Sequence, residues 1–275
     1  MTRIAVFQST TGIDPAASLR SLEKTIGEAS EGGAEMLFTP EMSGLLDRDS
    51  GRAAKNLKDE QDDEVLAACR EAARRHRIWL HIGSLAVLVD NGKVANRGFV
   101  IDREGEIRAR YDKLHLFDVD LPTGESWRES NVYSAGSGVV LVNGTPIGKL
   151  GLTICYDLRF PGLFARLAES GADVIAVPAA FTVPTGKAHW HVLLRARAIE
   201  AGVFVVAAAQ VGRHEDGRQT FGHSLVIDPW GEVLLDMGEE GGLGFADVDL
   251  KRISDVRSRI PALNHRRPIP DAVTL

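Results

Sequence analysis

Cysteine is scarce in this sequence, since Cys69 and Cys155 are the only two among 275 residues. Two thiols cannot form the disulfide framework of a small secreted domain, and nothing else indicates export. The N-terminal segment MTRIAVFQST lacks the basic start and the long apolar stretch of a signal peptide. We therefore expect a cytoplasmic protein in which both thiols are reduced.

Long apolar runs and an excess of basic charge are also missing. No apolar run approaches the roughly 20 residues that a membrane span requires, so no membrane partner is expected. Lys and Arg number 32 against 38 Asp and Glu, and the net charge of −6 gives no electrostatic reason to expect a nucleic-acid partner. The sequence shows no low-complexity linker, so we expect a single domain spanning residues 1–275.

Helix-like and strand-like segments alternate along the chain. The apolar spacing and end signals predict helices over 15–31 and 62–77, near 160–170 and near 188–201. About eleven strand-like runs surround these helices. Strands near both ends of the chain and helices in two pairs favour two sheets packed together, with helices covering their outer faces.

The stretch GLTICYDLRF, residues 151–160, places a thiol where chemistry is possible. An apolar run ends at Cys155, and Asp157 and Arg159 open a predicted helix. A helix N-terminus aimed at the thiol would favour the thiolate, although a buried structural cysteine explains this spacing equally well. Cys69 lies in an alanine-rich helix with no acid–base partner nearby and is predicted to be structural.

A nucleophilic thiol also needs a base and a group that stabilises an oxyanion. Histidines in candidate cleft segments are His115, His189, His191 and His223. None shows the spacing of a Cys–His protease, and AHWH is too short a pattern to predict a zinc site. Glu41, in FTPEMSG, directly follows an apolar strand, and Lys113, in YDKLHLFD, lies between apolar strand positions. A charge at such a position either forms a structural ion pair or takes part in function.

Taken together, FTPEMSG, YDKLHLFD and GLTICYDLRFPGLF resemble the three ordered motif blocks of the nitrilase superfamily, the carbon–nitrogen hydrolases. The resemblance runs from about residue 3 to residue 270. Stretches such as AFTVPTGKAHWHVLLRARAIE and VVAAAQVGRHEDGRQTFGHS are most similar to the branch of amidases that act on deaminated glutathione, and next to the ω-amidases. The resemblance implies an α/β fold, a four-layer α-β-β-α sandwich, with no metal and no organic cofactor. It also implies a homodimer, possibly a higher oligomer, paired through the helices after the nucleophile strand and near 188–201.

The resemblance implies roles for the charged groups as well. Cys155 would attack an amide carbonyl, and Glu41 would take its proton, return it to the departing ammonia and later activate water. Lys113 and the backbone N–H of Tyr156 would stabilise the oxyanion. We expect burial to raise the pKa of Glu41 and so suit it to the role of base.

Further residues are assigned by the same resemblance. Glu129, in GESWRES, takes the place of a second glutamate that holds the lysine, with Glu125 as the alternative. Arg159 would bind a substrate carboxylate, unless it only pairs with Asp157 or caps its helix. The residues expected to line the pocket are Phe181, Thr185 and, with weaker support, Thr182.

The expected activity is a cysteine-dependent amidase that hydrolyses the terminal amide of a small α-keto-acid amide such as deaminated glutathione, releasing ammonia through a thioester. An ω-amidase acting on 2-oxoglutaramate, an N-carbamoyl amino acid or amine hydrolase, and a catalytically silent binding protein are the alternatives. Gly162 stands where the family generally has glutamate, and Lys187 where the branch has proline. Both departures bear on substrate preference and oligomer geometry. Arg195 and Arg197 are expected to be solvated or at an interface.

Overall fold

The computed structural model describes residues 1–89, 92–120, 124 and 126–274. The α-helices are α1 (Pro15–Glu31), α2 (Ser50–Ala53), α3 (Glu64–His76), α4 (Pro161–Glu169), α5 (Val183–Ala201) and α6 (Lys251–Arg259). The strands are β1 (Thr2–Gln8), β2 (Met36–Phe38), β3 (Trp79–Leu88), β4 (Val94–Ile101), β5 (Ile107–Asp112), β6 (Asp118–Asp120), β7 (Ser126–Arg128), β8 (Tyr133–Ser134), β9 (Leu141–Thr145), β10 (Gly148–Leu152), β11 (Val174–Ala176), β12 (Phe204–Ala207), β13 (Val211–Arg213), β14 (Gln219–Phe221), β15 (Leu225–Ile227), β16 (Val233–Asp236) and β17 (Gly242–Val248).

Two main sheets organise these strands. The first has the order β17-β1-β2-β3-β4-β5, with β8 joined to β4, and its strands β1, β2 and β3 are parallel. The second has the order β16-β15-β12-β11-β10-β9, and β10, β11 and β12 are parallel. Two hairpins, β6–β7 and β13–β14, stand apart from these sheets. Because carboxyl ends of parallel strands meet at one edge of a sheet, each sheet offers an edge where loops converge.

The side chains of β1 alternate between the two faces of the first sheet, which shows how the layers pack. Ala5 is buried in a cluster with Leu22 and Ile26 of α1, on the outer face of the first sheet. Its neighbours Ile4 and Val6 point the other way, into the large cluster that contains the second sheet, α4 and α5. The order of layers is therefore helix, sheet, sheet, helix, and the predicted four-layer sandwich is confirmed.

The predicted helices are present, and their bounds follow from the capping residues. Helix α1 coincides with the predicted range, because Asp14 caps the N–H of Ala16 and Gly32 ends the helix. Helix α5 begins at Val183, earlier than predicted, because Pro184 is tolerated in a first turn. Helix α6 was not predicted, since Ile253 is one of only two buried side chains in a charged segment. Among the described residues, no helix is long and apolar enough to cross a membrane.

Candidate active site

One cavity of about 460 Å³ lies where loops from the two sheets converge. Glu41 follows β2 and Lys113 follows β5 of the first sheet, whereas Cys155 follows β10 of the second. Glu129 begins a 3₁₀ turn, Glu129–Asn131, after the β6–β7 hairpin. All four predicted catalytic residues line this cavity. The alternative residue, Glu125, lies outside the described residues.

Cys155 occupies a sharp turn with unusual backbone geometry. Its φ angle is +49°, in the left-handed region that non-glycine residues rarely adopt, and its N–H donates to the carbonyl of Pro178 at 2.8 Å. A 3₁₀ segment, Cys155–Arg159, follows, and the α-helix starts only at Pro161. The expectation of an α-helix N-terminus at the thiol was therefore wrong, because a five-residue 3₁₀ segment aligns few peptide dipoles.

The charge state of the thiol follows from its surroundings. Cys155 is 7% exposed. Burial raises its pKa well above the usual value, and the neighbouring carboxylate of Glu41 raises it further, outweighing the opposite effect of Lys113. The resting nucleophile is thus a protonated thiol rather than the thiolate that a helix dipole would favour.

Glu41 is buried and fully hydrogen-bonded. Its Oε1 accepts hydrogen bonds from Lys113 Nζ and Asn96 Nδ2, both at 2.9 Å, and its Oε2 accepts one from the N–H of Ala180 at 2.9 Å. Burial raises the pKa of Glu41, but the charge and hydrogen bonds of Lys113 and its other partners overcome this, so the net pKa is lowered. The expected rise was therefore wrong, and the side chain is a carboxylate ready to accept a proton.

Lys113 lies between two carboxylates. Its Nζ donates to Glu41 and also to both oxygens of Glu129, at 3.1 and 2.9 Å. Burial lowers the pKa of Lys113, but the charges of Glu129 and Glu41 raise it well above the usual value. The N–H of Phe117 holds Glu129 from the other side at 2.7 Å. The ammonium is thus permanently charged and fixed beside the thiol.

Two amide side chains that the sequence reasoning missed complete this network. Asn96, on β4, donates through Nδ2 to Glu41 and, at 3.2 Å, to Glu129, so it joins the two carboxylates as Lys113 does. Gln210 donates to the backbone carbonyl of Glu41 at 2.9 Å. The available signal was a polar amide inside an apolar strand, VANRGFV for Asn96 and VVAAAQV for Gln210.

The 3₁₀ segment after the nucleophile is held by buried polar groups. Asp157 accepts hydrogen bonds from the N–H of Ile154 at 2.9 Å and from the hydroxyl of Tyr111 at 2.7 Å. Arg197 donates twice to the carbonyl of Leu158, at 3.0 and 2.9 Å, and is only 5% exposed. The expectation that Arg197 is solvated or at an interface was wrong, because its guanidinium is needed inside the protein to satisfy that carbonyl.

Arg159 lies on the cavity wall without a carboxylate partner among the described residues. Its guanidinium carbon lies 5.4 Å from the ring centre of Phe181 and 5.9 Å from that of Tyr156. Asp157, its expected structural partner, is instead bonded elsewhere. Phe181, Tyr156, Thr182 and Thr185 all line the cavity, and their roles in binding substrate stay predictions. Apart from a contact of 3.3 Å between its Nη1 and Nδ1 of His189, the geometry leaves Arg159 available for an anion, and its role stays a prediction.

The histidines of the predicted cleft segments do not contact the catalytic network in the described structure. His115 bonds to Asp157, at 2.6 Å. His191 and His223 both bond to Asp236, at 3.0 and 2.8 Å, and their ligand-type atoms lie within 4.8 Å of one another. His191, His223 and Asp236 are the described residues grouped closely enough to hold a metal, and this group does not line the cavity.

The two departures from the family pattern lie at the surface. Gly162 is exposed in the first turn of α4, and a side chain there would meet open space. Lys187 is exposed on α5. Neither residue lines the cavity.

Comparison with known proteins identifies the family. The family described as carbon–nitrogen hydrolase matches residues 3–258. The chain belongs to the carbon–nitrogen hydrolase family. It is a hydrolase of amide carbon–nitrogen bonds, and the resemblance noted from the motif blocks is confirmed.

Individual relatives of the hydrolase extend this result. It is 36% identical to the deaminated glutathione amidase of Yersinia enterocolitica, over 98% of this chain and 94% of that protein. The crystal structure of the C. elegans NitFhit protein matches with a TM-score of 0.89 and 40% identity, over 97% of this chain but only 65% of that longer chain. An amidase from Nesterenkonia sp. AN1 matches with a TM-score of 0.80 and 28% identity, over 95% of this chain and 98% of that chain. In that structure, acrylamide is attached to the active-site cysteine by Michael addition.

Proposed function

We propose that this hydrolase cleaves the amide of deaminated glutathione through a thioester on Cys155. The observation that carries the proposal is a single hydrogen-bonded network that places a carboxylate and an ammonium beside a buried thiol. Arg159 lies in the same cavity and supplies a site for the α-keto carboxylate. The name of the Yersinia enterocolitica relative supports the choice of substrate.

The protonation states define the first step. The thiol of Cys155 attacks the amide carbonyl while its proton moves to the carboxylate of Glu41. The negative charge that Glu41 carried thereby moves to the carbonyl oxygen of the substrate, where Lys113 and the N–H of Tyr156 stabilise it. Proton transfer and attack are therefore coupled, because a free thiolate is unfavourable beside an ionised Glu41.

The second half of the reaction reverses these proton movements. Glu41 gives its proton to the departing nitrogen as the carbon–nitrogen bond breaks and the thioester forms. Water then attacks the thioester with Glu41 as the base, and the acid product leaves as the Cys155 thiol is regenerated. Glu129 and Asn96 act as positioning residues, since they hold Lys113 and Glu41 without needing to touch the substrate.

The leaving group depends on the substrate. Glutathione joins its glutamyl side chain to cysteinylglycine, so in the deaminated form the scissile amide links a 2-oxoglutaryl group to that dipeptide. Cleavage releases 2-oxoglutarate and cysteinylglycine, so the expected release of ammonia does not hold for this substrate. Ammonia departs only from a simple carboxamide such as 2-oxoglutaramate. A cavity of about 460 Å³ falls within the range of sites that enclose ligands larger than a single small acid.

We further propose a homodimer in which α5 forms part of the contact. Val192 and Ile199, one heptad apart on α5, are 67% and 52% exposed, and the neighbouring Trp230 is 50% exposed. A surface of exposed apolar side chains on one helix face is typical of a protein–protein contact.

A single domain over residues 1–275 and a cytoplasmic location also stay proposals. The large core cluster that both sheets share supports the first, and the low cysteine content supports the second.

The test is a comparison of kcat/KM on three substrates: deaminated glutathione, 2-oxoglutaramate and an N-carbamoyl amino acid. We expect the highest value on deaminated glutathione, measured as 2-oxoglutarate and cysteinylglycine released in equal amounts. A higher value on 2-oxoglutaramate, measured as ammonia, would replace the proposal with an ω-amidase. Turnover of none of the three would favour a silent binding protein.

A further inference from the structure

The cavity has a second cationic region, away from Arg159. The guanidinium carbons of Arg48 and Arg218 lie 5.3 and 5.2 Å from the ring centre of Trp127, and all three residues line the cavity. Cations at this distance over an indole face are stabilised by it. Two arginines are therefore held together on one aromatic platform at the cavity wall.

The contacts of this platform leave donors unused. Asp216 accepts hydrogen bonds from the backbone N–H of Arg48 at 2.8 Å and from Nε of Arg218 at 2.7 Å. Within the described ranges, the side chain of Arg48 has no hydrogen bond or ion pair with a carboxylate. Trp127 adds a third unused donor, because its Nε1 is buried and has no hydrogen-bond partner. An unpartnered donor on a ring that carries two guanidinium groups favours an anion with oxygen acceptors.

A row of aromatic rings connects this platform to the nucleophile. The ring centres of Trp127 and Phe117 are 6.4 Å apart, and those of Phe117 and Tyr156 are 5.1 Å apart. Tyr156 is the residue after Cys155, and Arg159 lies at the far end of the row, 5.9 Å from its ring centre. The cavity wall is thus apolar in the middle and cationic at both ends.

We propose that Arg48, Arg218 and Trp127 form a second anion subsite, which binds the glycine carboxylate of deaminated glutathione. This inference rests on the proposed function. Extended, that substrate spans roughly 10–12 Å between its two terminal carboxylates, at about 3.5 Å for each residue-sized unit. This length is comparable with the two ring-to-ring steps of the aromatic row, 6.4 and 5.1 Å. We expect one carboxylate to bind Arg159 beyond Tyr156 and the other to bind the platform beyond Trp127. The subsite selects N-acylated dipeptides with a carboxylate at each end over single-carboxylate amides.

The test removes the charge from protein and substrate in turn. Arg48→Gln and Arg218→Gln are assayed on deaminated glutathione, on its analogue with a glycine carboxamide in place of the carboxylate, and on 2-oxoglutaramate. We expect each variant to lose about 5- to 20-fold in kcat/KM on deaminated glutathione, mainly through KM, because the subsite is partly solvated. Losses on the other two substrates are expected to stay below about 2-fold, because neither carries the distal carboxylate.

Two controls separate the subsite from other effects. Arg213→Gln removes the same charge from the same hairpin, but Arg213 is exposed and does not line the cavity, so its kinetics are expected to match the wild type. Trp127→Phe keeps an aromatic ring and removes the Nε1 donor, with an expected selective loss of kcat/KM on deaminated glutathione. Equal losses on all three substrates, or no loss on any, would overturn the subsite while leaving the amidase itself intact. A wild-type enzyme that prefers 2-oxoglutaramate would instead overturn the proposed function and, with it, the subsite.

Discussion

Replacing Asn96 tests how far the catalytic carboxylates depend on a neutral donor. Asn96 is 2% exposed, and its Nδ2 gives one hydrogen bond to Glu41 and one to Glu129. Asn96→Leu is nearly isosteric and removes both bonds without adding charge. A hydrogen bond to a charged group contributes about 1.5–3 kcal/mol, which corresponds to about a 10- to 150-fold loss in kcat/KM if Glu41 is mispositioned in the transition state.

The same variant has a second, independent effect on the pH profile. The hydrogen bond from Asn96 helps to lower the pKa of Glu41, so its removal raises that pKa. Because the base must be ionised, the acid limb of kcat/KM moves to higher pH in the variant, whereas the wild-type profile stays flat well below neutral pH. Asn96→Asp places a third carboxylate against the other two, and we expect a further upward shift of the acid limb.

The assay is kcat/KM between pH 4 and 9, with circular dichroism and the thermal midpoint recorded to check the fold. Asn143→Leu is the matched control, because Asn143 is exposed on β9 and does not line the cavity. Its activity and acid limb are expected to match the wild type. A folded Asn96→Leu enzyme with activity within 3-fold of the wild type and an unmoved acid limb would refute this account of the network.

Three further predictions concern other buried groups. Cys155→Ala is expected to abolish turnover of deaminated glutathione, whereas Cys69→Ala, on the buried face of α3, should keep the wild-type kcat. The reverse pattern would exclude the thiol mechanism. Arg197→Met removes both hydrogen bonds to Leu158. It should lower the free energy of unfolding in urea by about 1.5–3 kcal/mol and should also lower kcat. Unchanged values would show that other contacts position the 3₁₀ segment after Cys155. Burial lowers the pKa of His81 to about 3, whereas an unfolded histidine titrates near 6.5. As the pH falls, the unfolded state therefore binds a proton before the folded state does, and wild-type stability decreases below about pH 6.5. His81→Leu should remove about 2 kcal/mol of the decrease in the free energy of unfolding between pH 7 and 5. The same pH dependence of the urea-derived free energy in both proteins would contradict this.

The fold was predictable where local signals and packing agree. The bounds of α1 follow from an aspartate cap, a proline in the first turn and a terminal glycine, all of which are visible in the sequence. The strand count was less accurate, with about eleven predicted and seventeen found in the described part of the chain. Short strands such as β8 (Tyr133–Ser134) exist only because a distant partner pairs with them, so no local pattern marks them.

The site was predictable as a set of residues but not as a set of charge states. Motif blocks located Glu41, Lys113 and Cys155, because each lies beside an apolar strand in an identifiable stretch. The pKa directions of the thiol and the carboxylate could not be read in this way, since they depend on distances of about 3 Å between residues far apart in the chain. Asn96 was missed for the same reason, because its importance lies entirely in the side chains that it meets.

The position of Glu41 between the two sheets has a consequence for how the enzyme fails. Lys113 and Asn96 reach its carboxylate from the first sheet, whereas the N–H of Ala180 reaches it from the loop after β11 of the second. A slight separation of the sheets would break one set of bonds while leaving both hydrogen-bonded ladders complete. Turnover should therefore disappear at a lower urea concentration than the far-ultraviolet signal of secondary structure, as in sub-global opening. Catalytic activity would then serve as a sensitive gauge of contact between the sheets.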